Sequence, residues 1–199
     1  MKAGDEPLIL ASSSPRRRML LAQAGVAFEV RPPKIPEQSR TGEAPADFAL
    51  RMAREKAIEI ARRAGPQPAR RVLGADTVVI IDGETLGKPD GAEHAVALLS
   101  RLLGRVHRVI TAVALVDSAS LEERHAVVES RVTLRPATPA ELRAYVATGE
   151  PLDKAGAYAA QGEGRRFIEK IEGSETNVIG LPMQETLALL GGPPAGAGR

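Results

Sequence analysis

The element that decides the fold is Val72-Leu73-Gly74-Ala75-Asp76-Thr77-Val78-Val79-Ile80-Ile81. A short apolar run rich in β-branched residues is typical of a strand buried on both faces. Asp76 interrupts this run, and burying an unpaired carboxylate is costly. We therefore predict that Asp76 is paired to a base, bound to a metal or used as a proton acceptor, with Gly74 letting another group approach the backbone. The alternative is an aspartate at a strand end that caps a turn.

Strands and helices alternate on both sides of this run. Before it, apolar periodicity and turn residues predict strands at residues 8–11 and 28–31, and helices from Pro15 to Gly25 and at residues 45–64. After it, they predict helices at residues 92–103, 139–148 and 182–190 and strands at residues 106–116, 126–134 and 167–171. Residues 83–90 and 149–164 are predicted turns. This order indicates an α/β protein with a mixed sheet in two lobes around a central cleft.

Composition sets the class of protein. The 199 residues are 43% hydrophobic and 3% aromatic, which predicts a globular chain with an aliphatic core, here one domain over residues 1–190. Residues 191–199 form a Gly/Pro/Ala tail that we expect to be disordered. No cysteine is present, which excludes disulfides, thiolate nucleophiles and cysteine zinc sites.

The charge balance and the lack of long apolar runs limit the partners. With 27 basic and 25 acidic residues, the chain is too evenly charged to coat nucleic acid. No apolar run approaches the ~20 residues of a membrane helix, and the first ten residues do not resemble a secretion signal. We therefore expect a cytoplasmic protein with neither a membrane nor a nucleic-acid partner.

The first predicted helix begins with features of an anion site. Ser14 and Pro15 occupy the N-cap and first helical positions, so backbone N–H groups and the positive end of the helix dipole face a serine-rich turn. Arg16 and Arg17 add guanidinium donors where basic residues oppose the dipole, a conflict that a bound anion would resolve. The alternative is an ordinary solvated first turn.

Two lysines and a glutamate complete the candidate chemistry. Lys56 falls between Met52 and Ile60 in an apolar helical stripe, although its stem could instead reach solvent beside neighbouring glutamates. Glu37 and Lys88 lie in loops that follow predicted strands, where side chains can reach a cleft. The histidines show no metal-ligand spacing, and no Walker-type loop or dinucleotide fingerprint is present. Together these groups suit metal-assisted attack of water on a phosphoanhydride.

Five motifs follow one another along the chain: residues 8–17 (LILASSSPRR), 74–79 (GADTVV), 87–89 (GKP), 153–158 (DKAGAY) with Gln161-Gly162, and 177–182 (NVIGLP). In this order they resemble the motifs of the Maf family of nucleotide pyrophosphatases. The resemblance covers nearly the whole chain. It implies an inosine-triphosphatase-like α/β fold, a homodimer, and hydrolysis of nucleoside triphosphates to monophosphate and pyrophosphate with a divalent metal, Mg²⁺ or Mn²⁺.

The same resemblance implies roles for individual residues. Asp76 would be the proton acceptor. Glu37, Lys56 and Lys88 would line the reaction centre. Ser12, Arg16 and Arg17 would contact the phosphates. The metal ligands would be Asp76 and Glu37. Where the family usually has Asp-Glu, this chain has Pro36-Glu37. Only one carboxylate is therefore left in that loop, which weakens the metal assignment there.

The discriminating positions resemble the branch of the family that acts on dTTP and UTP. They hold Arg16, Thr77 and Gln161, where the 7-methyl-GTP branch has Trp, Gln and Glu. A glutamine amide offers the paired donor and acceptor that a uracil or thymine edge requires. Action on 7-methyl-GTP or another modified nucleotide is one alternative. The other is a non-catalytic regulator, linked to cell division, that holds nucleotides or nucleic acid without turning them over.

Overall fold

One mixed sheet of seven strands runs through the computed structural model, which describes residues 6–191. The strands are β1 (Leu8–Ala11), β2 (Phe28–Val30), β3 (Arg71–Ile81), β4 (Glu84–Leu86), β5 (Val106–Asp117), β6 (Glu123–Leu134) and β7 (Ile168–Glu172). Their order is β2-β1-β3-β5-β6-β7, and β4 pairs with β3. β1 runs parallel to β2 and β3, whereas β4 and β7 are antiparallel to their partners. The predicted mixed α/β fold is confirmed.

Six α-helices accompany these strands in the described residues. They are α1 (Pro15–Gln23), α2 (Pro45–Ala64), α3 (Ala92–Leu102), α4 (Pro139–Ala147), α5 (Glu175–Ile179) and α6 (Met183–Leu189). Three short 3-10 turns lie at Glu150–Asp153, Ala155–Ala157 and Gly162–Phe167. The first two lie within the segment predicted as turns, residues 149–164, and the third begins there and continues to Phe167. The two parallel pairs of the first half are connected through α1 and α2, as parallel strands need a crossover.

The prediction of residues 83–90 as turn alone was wrong. Asp82 and Gly83 have φ values of 54° and 81° and form a two-residue hairpin turn, after which β4 pairs back on β3. Only three residues pair, and Glu84 and Thr85 are exposed, so no alternation of apolar residues marks the strand. Backbone hydrogen bonding, which a sequence pattern does not display, creates this element. The five-residue helix α5 was not predicted either.

The described residues divide into two compact units. Unit 1 comprises residues 6–76, 111–128 and 180–191, and unit 2 comprises residues 77–110 and 129–179. The chain passes from unit 1 to unit 2 within β3, between Asp76 and Thr77. The single-domain boundary at residue 190 and the central cleft stay predictions. The predicted tail lies outside the described residues except for Gly191.

The core of unit 1 brings α2 against β1 and β3. Its buried cluster contains Ile9, Ala11, Ala57, Ile60, Ala61, Val72 and Val116. α2 begins at Pro45, which suits a first helical position, and ends before Gly65, whose φ of 80° suits the residue after a helix. In register, Ala11 at the end of β1 pairs with Gly74 of β3. The loop that follows β1 therefore begins, at Ser12, beside Ala75, the residue of β3 that precedes Asp76.

Candidate active site

A buried lysine–carboxylate cluster lies in unit 1. Lys56 Nζ is 2.7 Å from Asp76 Oδ1 and 2.7 Å from Glu37 Oε1. Lys56 and Asp76 are only 5% and 7% exposed, whereas the Glu37 side chain is 48% exposed. The pairing explains how a strand can bury a carboxylate and a helix can bury an ammonium. Both structural alternatives are wrong, because Asp76 lies in the middle of β3 and Lys56 does not extend to solvent.

The close approach of α2 to β3 makes this pairing possible. Gly74 and Asp76 are two residues apart on β3, so they share a face of the strand. A Cβ atom built on Gly74 would lie 2.1 Å from the carbonyl oxygen of Ala53 and 2.9 Å from the backbone nitrogen of Ala57. The helix backbone therefore rests on the strand at a position that only glycine allows. Lys56, next to Ala57 on the helix, is then within hydrogen-bond distance of Asp76.

Burial and charge act in opposite directions on Asp76. Burial raises the pKa of its carboxyl, while Lys56 and, to a lesser extent, Arg17 lower it. The net direction is upward from the ordinary value of 3.8. The pKa of Arg17 is lowered by burial, although Asp76 opposes that shift. An aspartate whose pKa is raised holds a proton more tightly than an ordinary one, which makes it a better proton acceptor when ionised.

The serine-rich turn after β1 is fixed by Arg17. Its guanidinium donates to Ser12 Oγ at 3.0 Å and, through Nε, to the carbonyl oxygen of Gly180 at 2.8 Å. Ser12 Oγ also accepts from the backbone N–H of Ser14 at 3.2 Å. Ser14 is the N-cap as predicted, but its side chain makes no capping hydrogen bond. The half-buried Arg16 follows Pro15 in the first turn of α1. Ser12, Arg16 and Arg17 are thus brought together at the start of the helix.

A second ion-pair network holds the loop that carries Glu37. Arg51 of α2 donates to both carboxylate oxygens of Glu43, from Nε at 2.6 Å and from Nη2 at 2.7 Å. Nη2 also donates to the carbonyl oxygen of Gln38 at 2.9 Å. The Arg51 hydrogen bonds lower the pKa of Glu43 to about 2. Residues directly after Glu37 are therefore fixed to the helix that carries Lys56. This pair was not predicted, and its one signal in the sequence is an arginine eight residues after a glutamate.

The remaining predicted site residues belong to unit 2. Thr77 is half-buried in β3, Lys88 is exposed in the loop after β4, and Gln161 is half-buried before the last 3-10 turn. The backbone N–H of Gly156 donates to the carbonyl oxygen of Gly87 at 3.1 Å. This hydrogen bond links the loop that carries Lys88 to the segment that leads to Gln161. The roles of all nine predicted residues stay predictions.

The protein side chains offer two candidate metal ligands. Asp76 and Glu37 converge on one point, Lys56 Nζ. Within residues 6–191, no group of three or more His, Cys, Asp or Glu side chains could hold a metal ion. Mg²⁺ is commonly bound by one or two carboxylates together with substrate phosphates, and a two-carboxylate donor set fits that mode.

Among residues 6–191, no helix has the length and apolar character needed to cross a membrane.

The chain is similar to known proteins over nearly its whole length. The family described as "Maf-like protein" matches residues 7–192. A dTTP/UTP pyrophosphatase of Anaeromyxobacter dehalogenans (strain 2CP-1 / ATCC BAA-258) is 50% identical over 185 residues, 92% of each chain. Proteins with the same name from Myxococcus xanthus (strain DK1622) and Escherichia coli O157:H7 are each 50% identical, over 96% and 92% of this chain and 94% and 91% of their own. The chain therefore belongs to the Maf-like family.

Proposed function

We propose that this chain hydrolyses dTTP and UTP to the monophosphate and pyrophosphate, in a nucleotide-pool house-cleaning role. The observation that carries the proposal is the buried Asp76 carboxylate, held by Lys56 beside Glu37. Relatives that share half of their residues with this chain are named dTTP/UTP pyrophosphatases. A carboxylate with a raised pKa, set among basic residues, suits attack of water on a phosphoanhydride.

Asp76 is the general base in this reaction. Its carboxylate accepts a proton from the attacking water, the water oxygen bonds to phosphorus, and the oxygen that bridges the α- and β-phosphates leaves with the bond electrons. Lys56 keeps the carboxylate ionised and oriented through its 2.7 Å contact. Arg16 and Arg17, at the start of α1, neutralise charge that develops on the phosphates. Lys88 supplies a further positive charge from its loop.

A divalent cation, Mg²⁺ or Mn²⁺, would be held by Asp76 and Glu37. When bound, such an ion supplies positive charge that polarises phosphoryl oxygens and lowers the pKa of water. The two convergent carboxylates support this assignment, since substrate phosphates can complete the coordination. In that state Lys56 must share its two carboxylate partners with the ion.

Base selection belongs to Thr77, Arg16 and Gln161. The amide of Gln161 carries both a donor and an acceptor, which is the pattern on the edge of uracil and thymine. Within residues 6–191, its side chain makes no hydrogen bond, which leaves both groups available to a ligand.

The family resemblance also supports a homodimer, which sedimentation velocity would test. The absence of cysteine is compatible with a cytoplasmic location.

The decisive experiment compares wild type with Asp76→Asn, which keeps the shape and removes the base. Pyrophosphate release is measured with dTTP, UTP, the other canonical triphosphates and 7-methyl-GTP, in Mg²⁺ and in Mn²⁺. We expect the highest kcat/KM for dTTP and UTP, and loss of turnover in Asp76→Asn with nucleotide binding retained. A preference for 7-methyl-GTP, tight binding of nucleotides without product, or full activity of Asp76→Asn would each contradict the proposal.

A further inference from the structure

Tyr145 is a buried tyrosine that the reaction does not use. It lies in α4 with no exposed surface, and its ring packs against Phe167 with centroids 5.3 Å apart. The Tyr145 hydroxyl donates to Glu150 Oε1 at 2.9 Å and accepts from the backbone N–H of Ala159 at 3.1 Å. A tyrosine kept only for packing would not need both contacts, and Ala159 lies two residues before Gln161.

Glu150 makes the matching contacts on the other side of Gln161. One carboxylate oxygen accepts from the backbone N–H of Gly164 at 2.9 Å and the other from the backbone N–H of Glu163 at 3.0 Å. Burial raises the pKa of the Glu150 carboxyl, but these backbone hydrogen bonds and the one from Tyr145 outweigh it and leave the pKa below its ordinary value. The carboxylate is therefore ionised at neutral pH and accepts three hydrogen bonds.

The chain around Gln161 lies directly on this pair. A Cβ atom on Gly162 would be 2.5 Å from Glu150 Oε2, and one on Gly164 would be 2.5 Å from the Tyr145 hydroxyl. Glycine at both positions therefore lets the backbone reach the two polar groups. The segment is anchored at residue 159 on one side of Gln161 and at residues 163 and 164 on the other. Three residues, 160–162, span the distance between the anchors.

We propose that Tyr145 and Glu150 are positioning residues that fix Gln161 for recognition of the uracil or thymine edge. This inference rests on the proposed function, in which Gln161 reads the base. Tyr145 has no exposed surface with which to contact a nucleotide, and the two residues act through their hydrogen bonds to the backbone on each side of Gln161. Fixing the backbone reduces the freedom that the glutamine loses when it binds the base, which is the general benefit of preorganisation.

The test is a double-variant cycle read out as base selectivity. The ratio of kcat/KM for UTP to that for CTP is measured in Tyr145→Phe, Gln161→Ala and the double variant, because cytosine reverses the donor and acceptor on the edge that Gln161 would read. We expect Tyr145→Phe to lower this ratio about tenfold, of the order of one to two lost hydrogen bonds. In the Gln161→Ala background the same change should leave the ratio unaltered.

Two further variants separate positioning from stability. Glu150→Gln should lower the ratio as Tyr145→Phe does, because an amide nitrogen cannot accept from a backbone N–H. Tyr158→Phe is the matched control: Tyr158 is also buried, but its hydroxyl is hydrogen-bonded to His107 Nε2, at 2.7 Å, and His107 is not on the Gln161 segment. It should lower the Tm and leave the UTP/CTP ratio unchanged.

The outcomes that oppose the inference are distinct from those that oppose the function. Wild type that hydrolyses UTP and prefers it to CTP, with an unchanged ratio in both Tyr145→Phe and Glu150→Gln, overturns the positioning role alone. An equal fall of the ratio in the Gln161→Ala background overturns it as well, because the effect then does not pass through Gln161. Absence of dTTP and UTP hydrolysis by wild type overturns the proposed function and the inference with it.

Discussion

Gly74→Ala adds one methyl group at the point where α2 rests on β3. The added Cβ would lie 2.1 Å from the carbonyl oxygen of Ala53, whereas real Cβ atoms are essentially never closer than 3.0 Å to another heavy atom. The helix and strand must therefore separate by about 0.9 Å at this point. The obstructing atoms are helix backbone, so no side chain can rotate away to make room.

The cost of this separation falls on both stability and catalysis. Overpacking of a well-packed core costs about 1–3 kcal/mol, and about 3 °C of Tm is expected for each kcal/mol in a chain of this size. The separation also lengthens the 2.7 Å contact between Lys56 Nζ of α2 and Asp76 Oδ1 of β3. Displacing catalytic groups by about 1 Å commonly costs about 100-fold in rate, so we expect kcat to fall by about that factor.

Pyrophosphate release under saturating dTTP measures kcat, and thermal unfolding measures Tm on the same sample. Gly91→Ala is the control, because its backbone is extended, with a φ of 171°, and a Cβ there would meet nothing within 4 Å. It should retain kcat within about twofold, since surface substitutions usually change stability by less than about 0.5 kcal/mol. If Gly74→Ala keeps the kcat of wild type, the close approach does not position the catalytic pair, and this reasoning is refuted.

Three further predictions concern the charged groups. Lys56→Met leaves the Asp76 carboxylate buried without its cation, so the free energy of unfolding, measured in urea, should fall by about 3–5 kcal/mol. Adding Asp76→Asn should restore most of that stability without restoring turnover. Wild type should lose kcat/KM as pH falls through the pKa of Asp76, which lies above 3.8. Because Lys56 lowers that pKa, the residual activity of Lys56→Met should be lost at a higher pH than the activity of wild type. Loss of activity at the same pH in both proteins would contradict this. The Glu43 pKa falls from 4.5 unfolded to about 2 folded, so its contribution to stability is present above pH 4.5 and is lost towards pH 2. The Tm difference between wild type and Glu43→Gln should therefore close over that range, and a constant difference would count against the Arg51 pair.

Much of the fold was predictable because unit 1 obeys local rules. The helix predicted at residues 45–64 has those bounds, since Pro45 and Gly65 act through local backbone geometry. The long buried strand was predicted to within one residue, because its β-branched residues favour a strand over a buried helix. β4 and α5 were missed, because their three and five residues are too short to show a period.

The site was predictable where a residue conflicts with its surroundings. Asp76 in an apolar strand and Lys56 in an apolar helical stripe were both out of place, and the structure pairs them. The partners that hold the site were not predictable in this way. Glu43 and Tyr145 suit their local surroundings, and the contacts that give them importance join segments whose proximity only the folded chain reveals.

The hydrogen bond from Arg17 to the carbonyl oxygen of Gly180 joins residues 163 positions apart in the chain. During synthesis, residues 12, 17, 56 and 76 are all made at least 100 residues before residue 180. A nascent chain can therefore form β1, α1, α2 and β3 and still lack the acceptor that Arg17 Nε has in the finished protein. Such a long-range contact closes late, because the loop entropy it must overcome grows with the separation. The turn that holds Ser12 and Arg17 reaches its final geometry only when translation has passed position 180. A fragment truncated before residue 180 should therefore be deficient in turnover even where its first half has folded.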